Sequence, residues 1–336
     1  MESQRWGLLP EEFQEDELER VVRNFFGESS RLVTASCKNS GLFNTTYDLV
    51  TSGGEEVILR ISPPEDYPQL FYEKGMMADE PAVHELVLSR TSLPIPRIWL
   101  YDPSRMILPR EYILMEKKNG RPLEDLQDFL DPEKIEKILT LLGRYTRELH
   151  SIQGERFGYM RTIPVMEVQD SWRKAFVIML DMILSDSRRA GAYDEHEANV
   201  LLAAFLENEM YLEKNSPAAL LHLDFWQQNI LVNERSEITG LLDFDRAAWG
   251  DVELEFAVLD ICGLSQRAFF EGYGGFRPGD ERAIRRNALY LIYEYLKYVF
   301  TNWTPRGSKP TSNYFKREID RIVKSILLRP HGHVGV

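Results

Sequence analysis

The sequence lacks long apolar runs and is poor in cysteine. No apolar stretch approaches the roughly 18 residues that a membrane-spanning helix requires. The first residues are acidic and lack the basic start and apolar centre of a secretion signal, which favours a cytoplasmic location. The two cysteines, Cys37 and Cys262, lie far apart and form no C-x-x-C motif. Neither a disulfide nor a zinc framework is therefore indicated, and we expect both thiols to be buried.

Basic residues are also fewer than acidic ones. The 336 residues include 40 Lys or Arg and 53 Asp or Glu, which gives a net charge of −13. Such a charge repels nucleic acid and anionic membranes, so neither is expected as a partner, and a cationic small molecule is favoured. The oligomeric state is left open. Most carboxylates of the later half belong to solvated faces, but as a group they are compatible with an amino-bearing substrate: Asp181, Asp186, Asp194, Glu195, Glu197, Glu207, Glu209, Asp245, Asp251, Glu253 and Glu255.

The most informative segment covers residues 221–251. It contains His222, Asp224 and Asn229 in the spacing H-x-D-x-x-x-x-N, and Asp243 follows after two short apolar runs. A proton-accepting carboxylate, a neutral oxygen ligand and a second carboxylate in this order can position Mg²⁺ and an attacking hydroxyl on a nucleotide γ-phosphate. The segment therefore predicts a kinase, with a surface hairpin of incidental polar residues as the alternative. His222 itself is expected to be a structural residue that hydrogen-bonds the loop.

The same segment predicts a β-hairpin. Two apolar runs flank the polar, turn-forming residues 233–239. Pairing Val232 with Gly240 would place Asn229 opposite Asp243 and bring both proposed metal ligands to one end. One Asn and one Asp suffice, because Mg²⁺ keeps waters and phosphate oxygens as its remaining ligands.

The runs HLDFWQQNILV and GLLDFDRAAWGD resemble the catalytic signature of aminoglycoside phosphotransferases and their choline kinase-like relatives, small-molecule kinases that share the protein-kinase-like fold. The resemblance implies Asp224 as the catalytic residue, Asn229 and Asp243 as Mg²⁺ ligands, and ATP or GTP as the phosphate donor. It extends in order over about residues 30–265. Upstream, SGLFNTTYDLV resembles the nucleotide-loop hairpin, VILRIS the third strand, and YILMEKK the hinge. By this resemblance the nucleotide-contacting residues are Gly41, Asn44, Arg60, Glu80, Met115, Glu116 and Lys117.

Two positions depart from the family pattern. Arg60 replaces the third-strand lysine, and the phosphate loop offers only Gly41 where protein kinases use several glycines. Arg60 can still pair with Glu80 and bind phosphate in bidentate fashion. Asn44 and neighbouring backbone N–H groups can cradle phosphate where glycines are sparse. The alternatives are a strand arginine that extends to solvent and an ordinary surface carboxylate at Glu80.

The fold class indicated is α+β, a two-lobed protein-kinase-like fold with the nucleotide in the cleft between the lobes. Residues 1–116 form a small lobe with an antiparallel sheet, one main helix and the hinge, and residues 117–336 form a larger, mostly helical lobe with the catalytic hairpin and the substrate site. Hydrophobic periodicity predicts strands near residues 31–37, 46–51, 56–61, 98–102 and 111–115. It predicts helices near 10–26, 79–90, 135–149, 171–184, 196–213, 254–264, 281–300 and 314–328, and disorder is expected over 329–336.

These features predict an ATP- or GTP-dependent O-phosphotransferase that acts on a hydroxyl of a small, amino-bearing molecule. The resemblance allows an aminoglycoside-like antibiotic, and hence antibiotic resistance, or a metabolite of the choline, homoserine or methylthioribose type, and fold alone does not choose among them. A second hypothesis is a catalytically silent, kinase-like binding protein. A protein kinase is a weaker third, because the chain between Asp243 and Asp251 is too short for an activation segment.

Overall fold

An antiparallel sheet of five strands precedes a mostly helical region in the computed structural model, which describes residues 13–38, 43–161, 164–213, 216–277 and 279–328. Gly41, Pro10 and the tail 329–336 lie outside the described residues, and what was predicted for them stays a prediction. No helix among these residues has the length and apolar character needed to cross a membrane. Cys37 and Cys262 form no disulfide with each other and are half-buried, so the prediction that both thiols are buried is met only in part.

The sheet and its two helices match the predicted order of elements. The elements are α1 (Glu15–Phe26), β1 (Leu32–Lys38), β2 (Thr45–Thr51), β3 (Glu56–Ile61), α2 (Met76–Arg90), β4 (Ile98–Asp102) and β5 (Tyr112–Glu116). Adjacent strands pair antiparallel in the order β1-β2-β3-β5-β4. Helix α1 begins at Glu15, where the backbone N–H of Gln14 donates to the Glu17 carboxylate at 2.9 Å.

The alternation of side chains along β3 determines on which face of the sheet Arg60 lies. Successive side chains of a strand point to opposite faces of the sheet. Val57, Leu59 and Ile61 are fully buried in the cluster that α1 covers. Ile58 and Arg60 therefore face α2 on the other side, where Ile58 packs beside Met77 of that helix and Arg60 contacts Glu80.

The remainder of the chain is mostly helical with short strand pairs between the helices. The strands are β6 (Arg121–Pro122), β7 (Gln153–Gly154), β8 (Gly158–Tyr159), β9 (Ala218–Leu221), β10 (Ile230–Val232), β11 (Ile238–Leu241) and β12 (Ala248–Gly250). The helices are α3 (Pro132–His150), α4 (Trp172–Arg189), α5 (Glu195–Leu206), α6 (Val252–Ile261), α7 (Arg267–Tyr273), α8 (Glu281–Trp303) and α9 (Lys309–Ile322). The boundary between the lobes at residue 116 stays a prediction.

Among the α-helices of the described residues, α7 is the one that the sequence did not predict, and the short strands β6, β7, β8, β9 and β12 were not predicted either. Helix α7 packs along α3 at a distance that only glycine allows, because a Cβ atom on Gly143 would lie 2.0 Å from the Phe269 carbonyl oxygen and one on Gly272 would lie 1.9 Å from that of Thr140. A helix of seven residues is too short to be stable by itself and depends on such packing. Its formation is therefore a tertiary effect.

The predicted hairpin forms, but its predicted register is wrong, by one residue at Ile230 and by two residues at Val232. Ile230 pairs with Leu241 and Val232 with Ile238, with an irregularity after Leu231. The turn is shorter than expected because the Asn233 side chain accepts hydrogen bonds from the backbone N–H groups of residues 235 and 237 and closes it early. Asn229 consequently lies opposite Leu242, whose N–H donates to its carbonyl at 2.9 Å, and not opposite Asp243.

Candidate active site

One cavity of about 1010 Å³ opens between the sheet and the helical part of the chain. This volume suits a nucleotide or a ligand of similar size. All nine site residues predicted from the sequence within the described ranges line it: Asn44, Arg60, Glu80, Met115, Glu116, Lys117, Asp224, Asn229 and Asp243. Gly41 lies outside those ranges.

His222 holds the loop that follows β9. Its ring is fully buried and stacks on Phe225, with 4.0 Å between the ring centroids. Nδ1 accepts a hydrogen bond from the backbone N–H of Asp224 at 3.0 Å, so Nε2 carries the proton and donates to the Leu242 carbonyl at 2.8 Å. Burial lowers the pKa of His222 and favours this neutral form. These contacts are those of a structural residue.

Glu255 anchors the same loop from α6. Its fully buried carboxylate accepts hydrogen bonds from the backbone N–H groups of His222 at 2.6 Å and Leu223 at 3.0 Å. Leu223 has a φ of 63°, a left-handed conformation that is rare for leucine. From the sequence, Glu255 belonged to a group of carboxylates expected to be mostly solvated and, as a group, compatible with an amino-bearing substrate. Nothing in the local pattern distinguishes it, because its partners are more than 30 residues away.

Asp224 lies in the cavity wall with both carboxylate oxygens engaged. Oδ1 accepts from Arg246 at 2.7 Å and Oδ2 from the Asn229 amide at 3.1 Å. Burial raises the pKa of Asp224 to about 6, the negative charge of Asp243 adds to this, and the positive charge of Arg246 opposes it. The side chain is 20% exposed, so a hydroxyl in the cavity can reach it. Such a carboxylate is ionised near neutral pH and able to accept a proton.

Asn229 and Asp243 supply oxygen atoms that fit Mg²⁺. The Asn229 amide nitrogen donates to the Asp224 carbonyl at 3.0 Å and to its carboxylate, which leaves the amide oxygen for a cation. Asp243 has a φ of 66°, which turns the chain just after β11, and its side chain is 37% exposed. Within the described parts of the chain, no group of three or more His, Cys, Asp or Glu forms a metal cage. Two protein oxygens beside a phosphate site are the donor set that Mg²⁺ uses with nucleotides.

Arg60 is the centre of a buried charge cluster. Its guanidinium lies 2.5 Å from Glu80 Oε1, 2.6 Å from Asp243 Oδ1 and 3.2 Å from Asp245 Oδ2. Arg60 is 7% exposed and Glu80 1%, so the alternatives of a solvent-facing arginine and a surface carboxylate are wrong. Burial and the charge of Asp243 raise the pKa of Asp245 to about 7, while Arg60 opposes the rise. The guanidinium fork can hold three carboxylates where an ammonium would act as a point charge.

The hinge residues border the cavity on the sheet side. Met115 is buried next to Ile58, and the Glu116 backbone N–H donates to the Arg97 carbonyl at 2.8 Å. The Lys117 ammonium lies 2.8 Å from Glu56 and holds the side chain at the cavity edge.

The acidic residues of the later half mostly lie elsewhere. Of that group, only Asp245 lines the cavity, and Arg60 binds it. Asp186 accepts from the Phe71 backbone at 2.6 Å, and Glu253 pairs with Arg286 at 2.8 Å. The far wall is formed instead by α8 and the turn after it, with Glu294, Lys297, Tyr298, Thr301, Asn302 and Arg306. The apolar stripe of α8 was interpreted as core, so these residues were not predicted. The two charged residues within that stripe could have indicated a cavity wall.

Comparison with known proteins identifies the family. The model of the phosphotransferase enzyme family matches residues 39–283, more than half of the chain. In sequence, the chain is 35% identical over 89 residues to a probable ketoamine kinase of Vibrio cholerae, a match that covers 26% of this chain and 30% of that protein. The chain spans between 23% and 30% of the length of the curated relatives it matches.

Solved structures share the fold over nearly the whole chain. A thermostable mutant of an aminoglycoside phosphotransferase, in ternary complex with AMP-PNP and hygromycin B, aligns with a TM-score of 0.66 and 18% identity over 92% of this chain and 98% of that one. A candidate fructosamine-3-kinase from Haemophilus somnus aligns with a TM-score of 0.70 and 18% identity, over 93% and 97%. The predicted two-lobed, kinase-like α+β fold is confirmed. The predicted family is confirmed as well, and the chain belongs to the phosphotransferase enzyme family.

Proposed function

We propose that the protein is an Mg²⁺-dependent O-phosphotransferase that moves the γ-phosphate of ATP or GTP to a hydroxyl of a small molecule. The observation that supports this most directly is the meeting of Asp224, Asn229 and Asp243 with the Arg60–Glu80 pair on one cavity. A proton acceptor, two oxygen ligands and a cation for phosphate are the parts that phosphoryl transfer requires.

In this proposal Asp224 orients the acceptor hydroxyl and takes its proton. The acceptor oxygen forms a bond to the γ-phosphorus, the bond from that phosphorus to the bridging oxygen breaks, and the nucleoside diphosphate leaves. Asn229 and Asp243 would hold Mg²⁺, which when bound neutralises charge on the phosphate oxygens. Arg60 would contact the α- and β-phosphates, with Glu80 and Asp245 fixing its position. The residues near Met115 and Lys117 would contact the base.

The acceptor is proposed to be a hydroxylated molecule with an amino group. Relatives include an aminoglycoside phosphotransferase seen with hygromycin B and a probable ketoamine kinase, so antibiotics and sugar-derived amines are both candidates. Metabolites of the choline, homoserine or methylthioribose type are further candidates. The acidity of the whole chain supports an acceptor that carries an amine. The cavity, however, is lined by only one more acidic than basic side chain, which favours an acceptor with few amino groups.

One observation favours the second hypothesis of a silent binding protein. Arg60 binds Asp243 directly, so the residue proposed for phosphate and the residue proposed for Mg²⁺ neutralise each other. A nucleotide must compete with this contact. Asp224, Asn229 and Asp243 nevertheless keep the side chains and surroundings that transfer needs, which weighs for the enzyme.

The test is Mg²⁺-dependent release of ADP or GDP by the purified protein across aminoglycosides, amino sugars and amino- or hydroxy-metabolites. Turnover that an acceptor stimulates, and that vanishes in Asp224→Asn, establishes the kinase and its acceptor class. Nucleotide binding without transfer to any acceptor in the panel points to an acceptor outside it. Absence of nucleotide binding contradicts the proposal.

A further inference from the structure

Helix α8 carries an ion pair on the far wall of the cavity. Glu294 and Lys297 lie one helical turn apart and are in contact, and they are only 1% and 6% exposed. The neighbouring positions of the helix, such as Tyr293 and Leu296, are buried core residues. Placing two charges in such surroundings costs desolvation free energy that a close ion pair only partly offsets. A purely structural helix of this kind would be expected to carry apolar residues there.

The ion pair leaves one carboxylate oxygen free. Lys297 contacts Oε2 of Glu294, whereas Oε1 is buried and has no hydrogen-bond partner among the residues that the structure describes. A buried acceptor without a donor destabilises the protein, and a ligand that donates a hydrogen bond to it removes that cost. The contact also uses only one of the three N–H donors of the Lys297 ammonium. The pair can therefore both accept and donate hydrogen bonds to a molecule in the cavity.

The pair shares its cavity with the proposed catalytic carboxylate. Asp224, Glu294 and Lys297 all line that cavity. The charge of Lys297 lowers the pKa of Asp224 and that of Glu294 raises it. A molecule that offers a hydroxyl to Asp224 would therefore have neighbouring groups beside Glu294 and Lys297.

The charge of the cavity limits the chemistry of that molecule. Eight Asp or Glu and seven Lys or Arg side chains line the cavity in the described parts of the chain, although the protein as a whole has a net charge of −13. Among the residues that line the cavity, Asp224 pairs with Arg246, Glu294 with Lys297, and Glu73 with Arg306. A polycation would find each carboxylate already neutralised. A neutral or singly charged ligand meets no such barrier.

We propose that Glu294 and Lys297 bind the acceptor through two neighbouring polar groups, a hydroxyl or ammonium donor at Glu294 Oε1 and a hydroxyl oxygen at the Lys297 ammonium. Adjacent hydroxyls of a sugar-like polyol supply both roles, so the acceptor is a polyol with at most one amino group. The proposal rests on the proposed kinase function and names the substrate class and the specificity-determining residues of its site.

The test is direct binding to the full-length protein saturated with Mg²⁺ and AMP-PNP, measured by isothermal titration calorimetry. The ligands are ribose, myo-inositol, glucosamine and 1-amino-1-deoxyfructose, with kanamycin as a sugar that carries several amino groups. The wild-type protein is expected to bind at least one polyol of the first set more tightly than kanamycin. Glu294→Gln and Lys297→Met should each raise the Kd of that polyol at least tenfold, with the Kd of AMP-PNP within twofold of wild type.

Two further variants keep the result interpretable. The double variant Glu294→Gln, Lys297→Met removes both buried charges, so neither is left unpaired and the protein should fold even if a single variant does not. This double variant should also lose polyol binding. Glu318→Gln changes a carboxylate of α9 that pairs with Arg321 outside the cavity and should bind like wild type. Polyol binding that is unaffected in all Glu294 and Lys297 variants, tighter binding of kanamycin, or no polyol binding at all overturns the inference. Failure of the proposed kinase function would appear separately, as loss of Mg²⁺-dependent AMP-PNP binding by the wild-type protein.

Discussion

Arg60 Nη2 lies 2.6 Å from Asp243 Oδ1, so the arginine that replaces the usual third-strand lysine contacts the proposed metal ligand directly. The same guanidinium contacts Glu80 and Asp245. An arginine at position 60 suits the additional carboxylate of Asp245, because three carboxylates around one buried site need a cation with several donors. The departure from the family pattern is therefore accompanied by a local rearrangement of charge around Arg60.

Replacing Arg60 should destabilise the protein in a way that depends on charge. Arg60→Met leaves Glu80 and Asp245 buried without their cation, and we expect the free energy of unfolding to fall by about 3–5 kcal/mol. Arg60→Lys keeps the charge and should cost clearly less. The measurement is equilibrium unfolding in urea near pH 7.5.

A matched control separates this cluster from ordinary surface pairs. Arg105→Met removes an exposed partner of Glu65 and should lower the free energy of unfolding far less than Arg60→Met does, because solvent screens exposed ion pairs. Adding Asp245→Asn to Arg60→Met should recover part of the lost stability, because one unpaired carboxylate disappears. An Arg60→Met protein as stable as the Arg105→Met protein would show that the cluster does not stabilise the fold.

The rate should depend on the ionisation of Asp224. Its pKa is raised to about 6, and only the ionised form accepts a proton, so kcat/KM should fall as the pH drops below about 6. Arg246 opposes the raised pKa. Arg246→Gln should therefore move the acidic limb of the profile to higher pH, while Arg267→Gln, which alters an exposed pair with Glu271, should leave it in place. A limb that stays fixed or moves to lower pH in Arg246→Gln would rule out Asp224 as the titrating group.

At position 223, a glycine variant should be more stable than an alanine variant, which is the reverse of the usual order. Its φ of 63° is strained for any residue with a Cβ atom, and Leu223 is 1% exposed. Both Leu223→Ala and Leu223→Gly lose buried apolar surface, but Leu223→Gly should be more stable than Leu223→Ala by about 1 kcal/mol. At the control position Leu221, buried in β9, the order should be the reverse. Thermal unfolding of the four variants is the measurement, and alanine preferred at both positions would contradict the backbone strain.

The sequence was sufficient for the parts of the site that depend on local spacing. The interval from Asp224 to Asn229, the hairpin after it and the alternation of β3 bring Asp224, Asn229, Asp243 and Arg60 to one cavity. The bounds of β3 and β4 matched the prediction, because a run of alternating or apolar residues between turn residues determines a strand with little outside help.

What the sequence did not predict depends on distant contacts. The early closure of the hairpin turn by Asn233 shifted the register, and the close packing of Gly143 and Gly272 made α7 a helix. The sequence does not show where a charge lies in space, so Glu255 was grouped with mostly solvated carboxylates, but it is buried and anchors the loop after β9. Glu294 was missed for the opposite reason, because it stands inside an apolar stripe that resembles core.

The most direct test compares turnover and nucleotide binding in two variants of the proposed site. Asp224→Asn should lower kcat by about 10²–10⁴-fold and leave the Kd of AMP-PNP in the presence of Mg²⁺ within about twofold, because its role is confined to the transition state. Asp243→Ala should instead abolish the Mg²⁺-dependent part of AMP-PNP binding. An Asp224→Asn protein that transfers phosphate at the wild-type rate would contradict the assignment of Asp224, and with it the account of the site.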